Sequence, residues 1–464
     1  MGPSTITDAD IEVDADPVTV APAVPVSGAA AAVEPAGPAS PSPPAVVRGW
    51  GRRVRLLRRA GWNVVDQVLS AFTNAALAFV VARSVDAPAF GAFAVSFLVF
   101  SLFIGVARGL VGQPLAIRFS GATAQESAAA VAAGTGTVLA VTVPAGVALV
   151  GGGLLLGGNL GAALWSLGVV LPALVLQDAC RMAFFAQGRA HLAAANDGLW
   201  AVVQFAAVAL LLSSGRDGVA ELVLAWGGSA ALCAAVGLVQ LRVLPRPAAA
   251  LRWVRDHRDV SGYLVAEYLL GAGAFHGGIL VVGALVGVED IGALRAAQVL
   301  IGPLGILAAA ISTFGLPEIS RRPHLNASTR WRVAVGAGAL MLGVSGAYTL
   351  LLLLVPHAAG VALLGDTWAG AQDVLLPVAL GSTAAGAALG PAVVIYALGH
   401  ARETFRLMVV EAPLVLTLML VGSQVGGARG AAWGLCIDQV AVVPLWFLRL
   451  RSILGRGARH RAER

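Results

Sequence analysis

Arg108 follows nineteen uncharged residues, Ala89 to Ala107, whose length and apolar character are typical of a membrane-spanning helix. A guanidinium in such a helix is costly unless other groups compensate its charge. Two explanations are open. The side chain extends to the membrane surface, or it faces a polar interior close to Asp66 on the preceding helix.

Polar residues also mark one face of the first apolar helix. They recur every three to four positions, as expected for a single helical face: Asn63, Asp66, Gln67, Ser70, Thr73 and Asn74. Such a face is rare against lipid, so we expect it to line a cavity or a contact between helices. Further intramembrane charges on later helices lie at a depth similar to that of Arg108: Asp178, Arg181, Asp197 and Glu411.

Arginine binds phosphate oxygens through two parallel hydrogen bonds, so an arginine-lined vestibule would attract an anionic headgroup. Arg108 and Arg181 lie at the predicted inner third of their helices, whereas Arg295 lies at the outer third of its own. Arg295 either faces the cavity, where it would receive the anionic group on the far side, or extends outward to the surface.

The composition shows what must position these residues. Of 464 residues, 58% are hydrophobic and 12% are charged, which predicts an all-α polytopic membrane protein. All 31 basic residues are arginine; without lysine, a P-loop ATPase and a lysine Schiff base are excluded. Twelve apolar segments can each span the bilayer: 62–83, 89–112, 127–151, 162–187, 191–213, 218–241, 259–287, 290–317, 331–356, 370–398, 404–425 and 430–450.

The placement of arginine predicts that both termini are cytoplasmic. In that orientation Arg83, Arg216 and Arg429 fall on the outer side, and Arg108 and Arg295 lie within spans. We expect a disordered cytoplasmic tail over 1–47, a basic interfacial segment over 48–61 that contacts anionic lipids, and a basic C-terminal tail over 451–464.

The chain repeats itself with six helices between the copies. "FVVARSVDAPAFGAFAV" at 79–95 aligns with "LVVGALVGVEDIGALRA" at 280–296, and "GQPLAIR" at 112–118 with "GLPEISR" at 315–321. This parallel repeat predicts two six-helix lobes, 62–241 and 259–450, joined by a basic linker at 242–258. The first alignment places Glu267 opposite Asp66. Either each carboxylate is paired within its own lobe, or the two bind a proton or cation during transport.

No catalytic motif is present: HExxH, GxSxG and CxxC are all missing. Cys180, Cys233 and Cys436 lie in apolar runs, which indicates packing and neither a disulfide nor a metal site. We therefore predict no catalytic residue, no metal, no cofactor and no nucleic-acid partner. The short predicted outer loops argue against an enzyme.

Several segments resemble polysaccharide flippases of the multidrug/oligosaccharidyl-lipid/polysaccharide exporter superfamily, in its actinobacterial polysaccharide biosynthesis branch. The similar segments include "IGALRAAQVLIGPLGILAAAISTFGLPEISR" (291–321), "LLGDTWAGAQDVLLPVALG" (363–381) with "YALGHARETFRL" (396–407), and "QDACRMAFFAQGRAHLAAANDGLW" (177–200). The resemblance covers about 60 to 452. Its motifs are specific for the superfamily and weak for the substrate.

The resemblance implies a MATE-like pair of bundles that works by alternating access in the bacterial plasma membrane. It implies a polyprenyl-pyrophosphate-linked oligosaccharide as cargo, flipped outward during exopolysaccharide synthesis, with Arg108, Arg181 and Arg295 as candidate pyrophosphate ligands. Polymerases or other glycan-assembly proteins are candidate partners. The candidate ion-coupling and cavity residues are Asp66, Glu267, Asn63, Gln67, Asn74, Asp178 and Glu411. The alternatives are a cation-coupled multidrug exporter, a membrane glycosyltransferase or polymerase, and a non-transporting scaffold.

Overall fold

The structure is a computed structural model that describes residues 45–120, 122–320 and 325–462. Its described elements are helices. In the first half they are α1 (Ala45–Ser84), α2 (Ala87–Ala107), α3 (Gln113–Phe119), α4 (Ala124–Leu156), α5 (Gly158–Ala186), α6 (Ala190–Ser213) and α7 (Val219–Leu241). In the second half they are α8 (Ala250–Tyr268), α9 (Ala274–Val286), α10 (Val288–Ser320), α11 (Ala327–Leu353), α12 (His357–Leu364), α13 (Trp368–Ala397) and α14 (Ala401–Ala462).

Two of the predicted crossings contain a π turn, in which the backbone hydrogen bonds join residues five apart and the turn contains one extra residue. Arg108–Gly112 joins α2 to α3, and Leu269–Gly273 joins α8 to α9. Two other predicted crossings are fused into α14. Since 55 residues, Arg402–Arg456, are far longer than one bilayer requires, and the backbone leaves helical geometry at Gly426 and Gly427, α14 contains two crossings.

The described helices thus accommodate the twelve predicted crossings, with Val68–Ser84 as the apolar part of the first. Two boundaries differ from the prediction. α8 starts at Ala250, so the second half of the expected linker 242–258 is helical and continuous with the seventh crossing. The expected interfacial segment 48–61 is likewise helical and continuous with the first crossing. Of the predicted tail, residues 1–44 lie outside the described part.

Each lobe is held together by helices in backbone contact. In the first lobe, a methyl group added to Gly146 or Gly153 on α4 would overlap the carbonyl of Gly168 or Gly161 on α5. In the second lobe, Gly338 on α11 and Gly390 on α13 have the same relationship to facing backbone carbonyls. Small residues permit this approach, and dispersion then acts over a large area in lipid, where burial of apolar surface gives little driving force.

The two lobes meet where α2 and α10 begin. A methyl group on Gly91 of α2 would overlap the carbonyl of Val288, and one on Gly292 of α10 would lie 3.1 Å from the Cα of Gly91. The two helices therefore touch backbone to backbone at this end. By the arginine distribution it is the predicted outer side of the membrane.

At the opposite, arginine-rich end, the first lobe contacts α8. The hydroxyl of Tyr268 donates to the carbonyl of Ser101 (2.6 Å), and Trp253 and Ser261 both donate to the carbonyl of Leu110. Arg118 on α3 bonds the carbonyl of Asp256 (3.0 Å) and the carboxylate of Asp259. The α2–α3 helix and α8 are thus connected over their whole inner half.

Candidate functional site

Arg108 occupies the first position of the π turn between α2 and α3. The backbone there forms the wider ring of a π turn, with Gln113 N–H donating to the carbonyl of Arg108. One residue further along the chain is Pro114. It has no N–H, so the carbonyl of Leu110 has no donor four residues ahead of it, which favours the wider turn.

The guanidinium of Arg108 is held by Asp178 on α5. Nε donates to Oδ2 at 2.9 Å, and Nη2 donates to Oδ1 at 2.7 Å, which is the bidentate arrangement with strong directional preference. Asp178 is buried, whereas the Arg108 side chain is 37% exposed. The charge is therefore oriented by a buried carboxylate, while more than a third of its side chain is exposed. The expected partner Asp66 is not the one that Arg108 binds.

Asp66 binds Arg181 instead. Arg181 Nε donates to Asp66 Oδ2 at 2.9 Å, and Nη2 contacts the same oxygen. The guanidinium also contacts Asp178 (Nη1 to Oδ1, 3.4 Å) and Asp197 (Nε to Oδ2, 3.2 Å). Only 4% of the Arg181 side chain is exposed. A single buried arginine thus connects aspartates from α1, α5 and α6.

Two amides complete this cluster. Gln177 Nε2 donates to Asp197 Oδ1 at 2.8 Å and to Asn196 Oδ1 at 3.1 Å, and Asn196 Nδ2 donates to the carbonyl of Cys233 on α7 at 2.9 Å. All three residues are buried. The sequence analysis did not identify Gln177 and Asn196 as members of a polar cluster. Their signal was the presence of amide side chains inside strongly apolar helices, where such groups require partners.

The cluster has an excess of negative charge. Three aspartates (Asp66, Asp178 and Asp197) face two arginines (Arg108 and Arg181), so full ionisation leaves one uncompensated carboxylate. Asp66 is completely buried, and its Oδ1 has no hydrogen-bond partner among the described residues. An unpaired charge in a low-dielectric interior is costly, which favours a proton or a small cation on one of the three carboxylates.

Arg295 on α10 lies on the opposite side of the boundary between the lobes. Its guanidinium carbon is 3.8 Å from the centre of the Phe97 ring on α2, a cation–π contact from one lobe to the other. Over the described ranges, no carboxylate forms an ion pair with it. The side chain thus contacts the other lobe, and both its orientation toward a cavity and its role toward an anion stay predictions.

The acidic residues of the second lobe are separate from this cluster. Glu267 on α8 is half-buried and accepts a hydrogen bond from the Tyr396 hydroxyl at 3.0 Å, so it is bonded within its own lobe. Glu411 lines a cavity of about 500 Å³ inside the second lobe, together with Asp438, Gln439 and Gln298 among mostly apolar residues. None of the described residues that line this cavity is an arginine.

The remaining predicted residues are only partly described. The side chains of Asn63 and Gln67 lie outside the described part of the chain, and Asn74 is half-buried on α1. The three cysteines are buried and unbonded to one another. Within the ranges that the structure describes, no three His, Cys, Asp or Glu side chains are grouped as they would be around a metal ion.

No protein-family model matches the sequence, and neither does any curated protein. Solved structures are similar in fold. An inward-facing structure of a multidrug resistance MATE family transporter of the MOP (multidrug/oligosaccharidyl-lipid/polysaccharide) superfamily has a TM-score of 0.67 at 14% sequence identity. The match covers 83% of this chain and 95% of that one.

Two further structures extend the comparison. The lipid II flippase MurJ, in an inward closed conformation, has a TM-score of 0.61 at 12% identity, over 83% of this chain and 86% of its own. A MOP superfamily transporter from Pyrococcus furiosus, whose binding pocket of reverse polarity suggests a different function for it, has a TM-score of 0.56 at 14% identity, over 86% and 95%. All three are transporters or flippases, and none is an enzyme. The chain is a multi-pass membrane protein with the fold of MOP superfamily transporters.

Proposed function

We propose that this protein flips a polyprenyl-pyrophosphate-linked oligosaccharide from the inner to the outer leaflet of a bacterial plasma membrane by alternating access. The observation that carries the proposal is Arg108, an intramembrane guanidinium that a buried carboxylate orients while 37% of its side chain stays exposed. A charge at this depth is costly, and one that is both oriented and accessible can bind an anion there.

The donors of Arg108 suit a phosphate group. A guanidinium has five N–H donors, and Asp178 takes one from Nε and one from Nη2. Nη1 and the second hydrogen of Nη2 remain for an incoming anion. A pyrophosphate is doubly suited, because its oxygens accept charge-assisted hydrogen bonds and its charge offsets the guanidinium. The lipid tail would remain in the bilayer.

The aspartate cluster supplies a means of coupling. A pyrophosphate bound to Arg108 weakens the attraction that Asp178 feels, and the cluster then has a larger excess of negative charge. Uptake of a proton or cation by one of its three aspartates restores the balance. Because Asp66, Asp178 and Asp197 lie on three different helices, α1, α5 and α6, the change alters how these helices pack.

Arg181 has a different role in this proposal. Its guanidinium is surrounded by carboxylates of the protein and is 4% exposed, so we assign it to the cluster and not to the cargo. Arg295 is the candidate ligand on the outer side, where a phosphate would have to replace Phe97 as its partner.

The experiment is a leaflet assay in cells depleted of the chromosomal protein and complemented with variants. An impermeant glycan-modifying reagent reports the fraction of lipid-linked oligosaccharide in the outer leaflet. We expect Arg108→Gln to leave the cargo on the inner side. Arg108→Lys keeps the charge but lacks the paired N–H donors of a guanidinium, so we expect it to restore part of the transport. Arg216→Gln, on an exposed loop arginine, is the matched control.

Expression and thermal stability of each variant are measured in parallel, so a folding defect is separated from a transport defect. Normal flipping by well-folded Arg108→Gln would contradict the proposal. Inner-leaflet accumulation in the control as well would mean that the assay responds to arginine loss in general.

A second candidate function, export of organic cations, has one observation in its favour. The cavity in the second lobe has carboxylates at Glu411 and Asp438, apolar walls and no lining arginine, as an amphipathic cation requires. Increased retention of a cationic dye in depleted cells, reproduced by Glu411→Gln, would support it. Unchanged dye efflux would leave the flippase as the better explanation.

A further inference from the structure

A groove of about 730 Å³ lies on the first lobe, at its arginine-rich end. Three segments form it: the first turns of α4, the last turn of α7 and the linker that follows α7. Its walls are apolar, with Ala128 and Ala132 on one side and Leu238 and Val239 on the other. We call these four apolar residues the apolar floor of the groove. Arg242 and Arg246 lie beside it, together with the amide of Gln125.

The two arginines have no carboxylate partner: in the part of the chain that the structure describes, neither forms an ion pair. Leu244 lies between them in sequence and is 81% exposed. At the same end, Arg118 is paired with Asp259 and Arg449 with Glu403. Two positive charges and an exposed leucine therefore remain without a partner in the protein.

Arg242 is also held in an unfavourable backbone conformation. Its φ of 55° and ψ of 43° are left-handed, and it is the one non-glycine residue among those described with positive φ. At each of the eight other positive-φ positions the chain has glycine. A glycine would end α7 more easily here as well, so the arginine is retained at a cost in stability, which points to a use for its side chain.

Arg246 is fixed by its main chain. Its N–H donates to the carbonyl of Ala132 on α4 at 2.8 Å. The approach depends on Gly136, where an added methyl group would overlap the backbone of Arg246. The linker is thus bound to α4, and both guanidinium groups project from a fixed backbone beside the apolar floor.

From this arrangement we propose that the groove binds one anionic phospholipid, with the phosphate on Arg242 and Arg246 and an acyl chain along Leu238, Val239 and Ala128. The level in the membrane fits, because α4 begins at Ala124 and α7 ends at Leu241, where helices leave the hydrocarbon for the headgroup region. A soluble phosphate would use the arginines and leave the apolar floor empty. A lipid uses both.

The test measures lipid binding to the purified full-length protein in detergent by native mass spectrometry and by thermal shift. The probes are dioleoylphosphatidylglycerol, dioleoylphosphatidylcholine and inorganic pyrophosphate. We expect the wild type to retain one phosphatidylglycerol in preference to phosphatidylcholine, and Arg242→Gly or Arg246→Gln to weaken that binding about tenfold.

Arg242→Gly provides a test that a folding defect cannot imitate. Because glycine suits the left-handed conformation, the lipid-free variant should melt at the same temperature as the wild type or higher, while its shift with phosphatidylglycerol is lost. Arg252→Gln, an exposed arginine on the same linker that does not line the groove, should bind lipid as the wild type does.

Three outcomes would overturn the proposal. Equal binding of phosphatidylcholine would mean that the charges are not used. A thermal shift with pyrophosphate as large as that with the lipid, and lost in Arg242→Gly, would indicate that the groove binds a soluble anion; a pyrophosphate shift that Arg242→Gly keeps belongs to another site, such as Arg108. A loss in Arg252→Gln equal to that in Arg242→Gly would indicate general attraction between a basic surface and anionic lipid.

Discussion

The indole N–H of Trp253 donates to the carbonyl oxygen of Leu110 across the boundary between the two lobes, at 3.0 Å. The hydroxyl of Ser261 donates to the same oxygen at 3.1 Å. A helix interior normally offers no free carbonyl, because each accepts the N–H four residues on. Pro114 removes that donor, so a proline in the first lobe provides the acceptor for two side chains of the second.

Removing both donors should loosen this contact. In Trp253→Phe with Ser261→Ala the Leu110 carbonyl loses two hydrogen bonds of about 1 kcal/mol each, so we expect the separated population to rise by roughly tenfold or more. Spin labels at Ile117 and Val254, both exposed, report the distance between α3 and α8 by double electron–electron resonance. Trp200→Phe loses an indole bond within one lobe (3.1 Å to Ser229) and should leave the distances unchanged.

Restoring the missing donor should remove the π turn. Pro114→Ala lets the N–H of residue 114 bond Leu110, and loss of the extra residue rotates α3 by about 100° relative to α2. Arg118 then no longer points at Asp259. Cysteines at these two positions should be joined readily by a short bifunctional maleimide in the native background and poorly with Pro114→Ala. Pro172→Ala, inside α5, serves as the control, and undiminished cross-linking would contradict the explanation.

Charge balance should govern the stability of the buried cluster. Arg181→Gln leaves three aspartates with Arg108 alone, and we expect a loss of about 3–5 kcal/mol, enough to abolish folded protein. Adding Asp197→Asn removes one of the unpaired charges and should recover a folded fraction. Size-exclusion profiles and melting temperatures measure both. If Arg181→Gln melts like the wild type, these aspartates do not depend on Arg181.

The glycine contact between α2 and α10 should hold the two lobes together at the end where these helices begin. Gly91→Ala places a methyl group against the carbonyl of Val288, so we expect the lobes to separate at this end. A cysteine at Ala94, which is fully buried, should become accessible to an impermeant maleimide. Gly228→Ala, with nothing within 4 Å of the added methyl, should leave it protected.

The sequence was sufficient for the helices and for which charges are unusual. Apolar length predicts a crossing, and an arginine within one is conspicuous whatever its contacts. The partner of Arg108 was beyond reach, because depth along a helix says nothing about rotation around its axis. The π turn adds one residue to a helical turn and so rotates the residues that follow it. Pro114, the residue that indicates this turn in the sequence, also lies within the repeated block 112–118, where it predicts only symmetry.

The repeat also suggested more symmetry than the lobes have. It aligns Asp66 with Glu267, yet Asp66 binds an arginine and Glu267 binds a tyrosine hydroxyl. A further similarity between the lobes, "AFFAQGRA" at 183–190 with "VIYALGHA" at 394–401, puts Leu389 and Ala392 opposite Asp178 and Arg181. The charged cluster is therefore a feature of the first lobe, and the repeat has no equivalent of it in the second. The start of α8 was missed for another reason: a helix that leaves the membrane no longer needs apolar residues.

Arg295 would make the protein sensitive to the membrane voltage if α10 moves during its work. It is an intramembrane positive charge that no described carboxylate neutralises, and α10 carries it. Any motion of α10 along the membrane normal carries this charge through part of the electric field, at about 2.3 kcal/mol per elementary charge for each 100 mV crossed. The balance between conformations would then depend on the electrical state of the cell, even when neither cargo nor ion is bound.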